Sequence, residues 1–283
     1  MKKIFSIFIT TMFCICFFTE CAFAANPVKH TSLSIYDTNS VQWDDPSKYD
    51  ELVATGYFKS EVQQFESTIA KKYKHYQCKN ITSEKQVKKS IKKAFKNTDS
   101  NDVNIIFIAC HGGEDGSFLV GCKEKKNEFE LISVCADDLR KWCDKYINGK
   151  TVIITSQCYG GIFAKEFYYD PHGYLNGGKK KNVAYAKKHY AIMTATNKTS
   201  NYAYSNDSWY TIRDWYIWKY VRNARIADID NNGKLTLKEW YNYTATKVYE
   251  SNIISSRWDD NEPVDRGVLY GGAVKNIVLY KYK

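Results

Sequence analysis

The chain has 283 residues, 44% of them apolar and 25% charged, with a net charge of +10. That balance excludes a disordered chain, a collagen-like repeat and a multi-span membrane protein. Nine cysteines and the basic charge raise two further classes, a disulfide scaffold and a nucleic-acid binder, which the positions of those residues argue against. Met1-Lys2-Lys3, the apolar run Ile4 to Phe18 and Ala22-Phe23-Ala24 form the three parts of a secretory signal, with cleavage expected after Ala24. The run is shorter than the roughly 20 residues a membrane-spanning helix needs. The expectation is a signal over 1–24 and one domain over 25–283, secreted or held in another secretory compartment, with no stable membrane anchor. Removing the signal leaves Cys78, Cys110, Cys122, Cys135, Cys143 and Cys158, too few for a disulfide-built fold, and no CxxC pair for zinc.

Ser32 to Tyr36 reads as a first strand. Phe58 to Tyr73 reads as a helix, with Phe58, Val62, Phe65 and Ile69 at helical spacing. His75 to Ile81 is a second strand. Thr82 or Ser83 caps a helix running to Phe95, with Val87, Ile91, Ala94 and Phe95 on one face. Lys85, Lys88, Lys89, Lys92, Lys93 and Lys96 cover the rest of that helix. With no nucleic-acid motif beside them they read as a solvated surface, and no nucleic-acid partner is expected. Val103 to Ala109 is an apolar strand ending at Cys110-His111-Gly112-Gly113. A helix over 137–146 follows, then the strand Thr151 to Thr155, ending at Ser156-Gln157-Cys158-Tyr159-Gly160-Gly161. A further strand, Tyr190 to Thr194, ends at Ala195-Thr196-Asn197. Apolar strands alternating with helices predict an α/β fold, a mostly parallel central sheet covered on both faces. Ligands in such sheets bind beyond the carboxyl ends of the strands, where all three polar clusters fall.

Thiol-based peptide cleavage needs an accessible sulfur, an imidazole to move protons, and N–H groups aimed at the developing oxyanion. Cys158, His111 and Gly112, with the N–H of Cys158 itself, supply those parts. The separation of 47 positions from His111 to Cys158 allows one crossover that makes their strands neighbours. His30, His75, His172 and His189 lack such a setting. Cys110 is expected to point into the fold or away from the imidazole.

These residues resemble the caspase- and legumain-like cysteine peptidases, in which the histidine precedes the cysteine by about 50 residues in the caspase case. The segment after the Tyr190–Thr194 strand is closest to the legumain family. That family has a Thr-Ala-Ala-Asn stretch followed by serines and a tyrosine, which shapes the substrate pocket. Here it reads Thr194-Ala195-Thr196-Asn197-Lys198-Thr199-Ser200-Asn201-Tyr202-Ala203-Tyr204. Ser200 falls on a family serine and Asn201 replaces the second. An acidic pocket residue precedes a Trp-Tyr pair in the family, and here Asp207 stands one place before Ser208-Trp209-Tyr210. The resemblance implies a caspase-like fold and a cysteine endopeptidase acting on protein or peptide substrates. It leaves the pocket open between Asn, Asp and Lys or Arg. It also leaves open a transamidase or ligase with the same acyl-enzyme, or a non-catalytic binding protein.

Residues 228–239 match the twelve-residue EF-hand calcium loop. Asp228, Asp230 and Asn232 occupy positions one, three and five, Gly233 the sharp turn, and Lys234 the carbonyl position. Thr236 acts directly or through water, and Glu239 closes the loop as a bidentate ligand. Ile212, Trp215, Tyr216 and Tyr220 suit a helix before it, and Leu237, Trp240 and Tyr241 one after. The expected cofactor is structural calcium. Oligomeric state is not readable.

Overall fold

A computed structural model describes residues 26–38, 57–125, 128–169, 189–196, 224–255 and 267–281. The expected signal, the pocket segment from Asn197 onward and the expected helix over 212–220 lie outside these residues.

In chain order the elements are β1 (His30–Tyr36), α1 (Tyr57–Ser67), β2 (Lys74–Cys78), α2 (Glu84–Phe95) and β3 (Val103–Ala109). Then come β4 (His111–Gly112), β5 (Phe118–Lys125), β6 (Glu128–Val134), α3 (Ala136–Tyr146), β7 (Lys150–Thr155), α4 (Gly160–Tyr169) and β8 (Tyr190–Thr194). The C-terminal part holds α5 (Ala224–Ala227), β9 (Lys234–Thr236), α6 (Leu237–Ser255), β10 (Leu269–Tyr270), a 3-10 turn (Gly272–Asn276) and β11 (Val278–Lys281).

The main sheet has the order β10-β8-β7-β3-β1-β2. Every pairing in it is parallel except β10 on β8. The fold is therefore the expected α/β arrangement, a mostly parallel sheet flanked by helices. The strands are apolar because both faces are covered. Ile105, Phe107 and Ala109 pack with Phe58, Val62, Phe65 and Ile69 of the α1 segment and with Leu235, Trp240 and Leu279. Ile106, Ile108 and Cys110 face the other way, toward α2, α3 and α4. Period-two alternation along β3 thus divides its side chains between two cores.

Among the described residues no helix is long and apolar enough to cross a membrane. The lysines of α2 are all exposed, and its apolar stripe of Val87, Ile91, Ala94 and Phe95 is buried.

Two boundaries differ from the sequence expectation. The α1 helix stops at Ser67 instead of continuing to Tyr73. Ser67 Oγ and Thr68 Oγ1 both donate to the Gln64 carbonyl, competing with the main-chain ladder, and tight turns follow. Strand β2 ends at Cys78, short of Ile81, because Asn80 turns the chain with φ 52°. A three-stranded antiparallel sheet, β4-β5-β6, follows β3 directly, and no sequence pattern identified it.

Candidate active site

Register brings the site together. Strands β3 and β7 pair in parallel through Ile108 and Thr155, and Ser156 N donates to the Ile108 carbonyl at 3.0 Å. His111 and Cys158 each stand three residues beyond that last pair, so both emerge from the same sheet edge side by side. The contact is tight at Gly112. A methyl group there would overlap the Cys158 carbonyl oxygen and lie 3.0 Å from the Cys158 nitrogen. Only a residue without a side chain permits this approach of the two main chains. Gly112 N–H and Cys158 N–H therefore belong to one small region of backbone, as an oxyanion-binding pair requires.

Cys158 is half-buried, is not in a disulfide, and sits on a sharp turn between β7 and α4. Tyr159 adopts φ 51°, a left-handed conformation costing about 1 kcal/mol for a residue with a side chain. Helix α4 then starts at Gly160, so Cys158 stands two residues before a helix N-terminus.

Two clamps hold that turn. Thr196 Oγ1 accepts from Gly160 N at 2.8 Å and donates to the Gln157 carbonyl at 3.0 Å. The Gln157 amide donates to the Gly116 and Ser117 carbonyls at 3.0 and 3.3 Å, while its oxygen accepts from Thr155 Oγ1 at 2.8 Å. Gln157 is fully buried. It fastens the cysteine turn to the loop that follows Gly112, and Gly113 N closes that loop on the Ser117 carbonyl at 2.9 Å.

His111 is half-buried in β4, its ring edge-on to Phe58 at 5.3 Å between centroids. One strand further on, Asp37 follows β1 and is 2% exposed, with its N–H on the Ala109 carbonyl at 3.2 Å. Asp37, His111 and Cys158 thus follow the ends of three adjacent strands, with the histidine in the middle. The negative charge of Asp37, second to burial, raises the Cys122 thiol on β5. Burial likewise raises Cys78 and Cys135, which holds them as thiols. Cys110 is fully buried in the core on the α2–α4 side.

The sequence expectation for Ser200, Asn201, Asp207 and Ser208 lies outside the described residues. Three polar residues near His111 and Cys158 carry no role in the sequence pattern. Asp37 has the same signal as His111, a polar residue closing an apolar strand. Glu61 is an acid within the apolar stripe of Phe58, Val62 and Phe65. Gln157 adjoins the cysteine, and no local pattern marks its role.

The acidic loop lies apart in sequence and is built locally. Asp228, 2% exposed, accepts from Asn232 N at 3.1 Å and Gly233 N at 2.9 Å. Asp230 accepts from the Asn232 amide at 2.7 Å, and Asn232 Oδ1 from Lys234 N at 2.8 Å. Gly233 turns the chain with φ 83°, which favours glycine. Oxygens of Asp228, Asp230 and Glu239 lie within 4.8 Å of one another. Three carboxylates this close repel unless a cation lies among them, and hard oxygen donors suit calcium. Glu239 also accepts from Thr236 N at 2.9 Å and Thr236 Oγ1 at 2.7 Å, while Thr236 Oγ1 accepts from Glu239 N at 3.2 Å. That is a capping box at the start of α6. Of the expected flanking helices, α6 is present, and the incoming side is described only over Ala224–Ala227.

No protein-family model matches the sequence, and no curated protein matches it. Among solved structures, the chain is similar to Raptor from Chaetomium thermophilum, with a TM-score of 0.43 and 16% identity over 68% of this chain and 18% of that one. It therefore spans less than a fifth of the Raptor chain. It is also similar to caspase-1 from Spodoptera frugiperda, with a TM-score of 0.46 and 12% identity over 86% of this chain and 87% of that one.

Proposed function

We propose that the protein is a secreted cysteine endopeptidase of the caspase- and legumain-like kind, braced by calcium. The observation that carries this reading is the meeting of the His111-Gly112 and Cys158 main chains at one edge of the parallel sheet. In the proposed reaction, His111 takes the thiol proton as Cys158 Sγ attacks the scissile carbonyl carbon, and the oxyanion is held by the N–H groups of Gly112 and Cys158. The C–N bond then breaks as His111 protonates the departing amine, leaving a thioester on Cys158. Water, deprotonated by His111, releases the acid and restores the thiol. A substrate amine in place of water would give transamidation with the same intermediate.

Asp228, Asp230, Asn232, the Lys234 carbonyl, Thr236 and Glu239 would hold calcium, which would offset their mutual repulsion. The loop leads into β9, which pairs with β11, and Leu237 N donates to the Ile277 carbonyl at 3.1 Å. Bound calcium would thus brace the C-terminal layer against the sheet face that α1 also covers.

Incubating the secreted, processed protein and Cys158→Ala with a peptide library, with products identified by mass, tests the reading. Cleavage by the parent alone is expected, and the cut positions would name the pocket preference among Asn, Asp and basic residues. Cleavage by both proteins would remove Cys158 as nucleophile, and cleavage by neither would leave a binding protein. The N-terminal residue of the secreted form should be Ala25.

A further inference from the structure

We propose that Glu61 is a positioning residue for the Cys158–His111 pair, acting through the hydroxyl of Ser156. The inference rests on the cysteine-peptidase reading and goes beyond the residues that touch substrate in it.

Helix α1 presents Phe58, Glu61, Val62 and Phe65 to the core, all 2% exposed or less. Three of these are apolar and fill the sheet face. A carboxyl group among them is costly to bury without a hydrogen-bond donor. Ser156 supplies one, its Oγ donating to Glu61 Oε2 at 3.1 Å. The Ile108 carbonyl is the hydroxyl's other neighbour, at 3.4 Å. A hydroxyl has a single proton, and the shorter contact directs it to Glu61.

Both partners sit where a small displacement matters. Ser156 is fully buried, is the first residue after β7, and stands two before Cys158. Its N–H is fixed on the Ile108 carbonyl of β3, so the Glu61 bond adds a side-chain anchor to the last fixed point before the cysteine turn. One helical turn before Glu61, Phe58 meets the His111 ring edge-on. A single rigid face of α1 thus touches the histidine and, through Ser156, the stem of the cysteine turn. Gln157 fixes that turn from the loop side, and Glu61 fixes it from the helix side. The separation of sulfur and imidazole is then set by two elements that never meet substrate.

Reactivity of the sulfur can be measured without knowing the substrate. Alkylation of Cys158 by iodoacetamide, followed by peptide mass across pH 5 to 9, reports thiolate formation and access, with exposed Cys135 as internal reference. Parallel kcat and KM values come from any library peptide the parent cleaves. Glu61→Ala and Ser156→Ala should each slow Cys158 alkylation at neutral pH about tenfold, the size expected for one buried hydrogen bond. They should lower kcat with KM little changed. Glu61→Gln, whose amide oxygen accepts the same hydroxyl proton, should restore the rate to within about threefold. The double alanine variant should be no worse than either single one, because both remove the same bond.

If Glu61→Ala does not fold, Ser156→Ala and Glu61→Gln still decide the matter. A slow Ser156→Ala beside a nearly normal Glu61→Gln supports the clamp. Normal alkylation in Ser156→Ala, or a Glu61→Gln as slow as Ser156→Ala, overturns it. A parent Cys158 no more reactive than Cys135 overturns the peptidase reading and this inference with it. An activated parent Cys158 unchanged by these substitutions overturns this inference alone.

Discussion

The strand-end site and the acidic loop are built in opposite ways. His111 and Cys158 are 47 residues apart in sequence and meet because β3 and β7 pair in one register. The acidic loop draws its oxygens from twelve consecutive residues, tied by hydrogen bonds between near neighbours. A nonlocal site depends on every element that fixes the sheet edge. A local loop depends on its own sequence and on the two anchors where it joins the body.

The sharpest way to break that contrast is at the point of closest approach. Gly112→Ala places a methyl group against the Cys158 backbone. It should cut peptide cleavage by roughly a hundredfold, the effect of an ångström-scale misplacement of reacting groups. Steady-state kinetics on a peptide that the parent cleaves would measure this. Activity close to the parent's would show that the two main chains need not touch.

Calcium removal probes the other region. Chelation should destabilise the folded protein by about 2.7 kcal/mol if calcium had been present at a hundred times its Kd. That corresponds to a fall in Tm of several degrees. Asp228→Asn should lower Tm similarly and make the protein insensitive to added calcium. Thermal melts with and without EGTA provide the comparison, and an unchanged Tm would leave the loop as a self-bonded turn.

The smallest effect separates ligand from cap. Thr236→Ala removes one half of the capping box with Glu239, worth about 1 kcal/mol. If the cap is its role, the loss in Tm is the same with calcium and with chelator. A loss seen in calcium alone makes Thr236 a ligand, direct or through water. Cleavage should stay near the parent rate in either case, because Thr236 is not among the residues proposed to act on substrate.

Much of the sheet is legible in the sequence. Strands β3 and β8 fall where their largely apolar runs place them, since burial on both faces needs no alternation. Helix α2 follows from a four-residue apolar stripe among lysines. The helix α1 boundary did not, because Ser67 and Thr68 turn back onto Gln64, a choice invisible to periodicity. The β4-β5-β6 sheet was missed for a related reason. Its strands are mixed in polarity and stabilised by one another, so no single segment declares itself.

Charged residues show the same division. Lysines on α2 are exposed, as their spacing indicates. Arg140 on α3 looks equally superficial in sequence yet is fully buried. Its guanidinium packs 4.4 Å from the Tyr190 ring centroid, and it donates to Asp144 at 2.8 Å and to the Phe167 carbonyl at 2.9 Å. Those partners come from three elements, so only their assembly makes the site for a cation.

From the sequence alone came the chemical parts: a basic chain with a leading signal pattern, a histidine and a cysteine each ending an apolar strand, and a twelve-residue acidic loop. Spacing sufficed because strand ends and turn loops are local features with local residue preferences. Tertiary structure decided the rest. Register set Gly112 against Cys158, the crossover through α3 made β3 and β7 neighbours, and α1 brought Phe58 against His111 and Glu61 against Ser156. Those contacts join residues far apart in the chain, and no local preference encodes a distance between them.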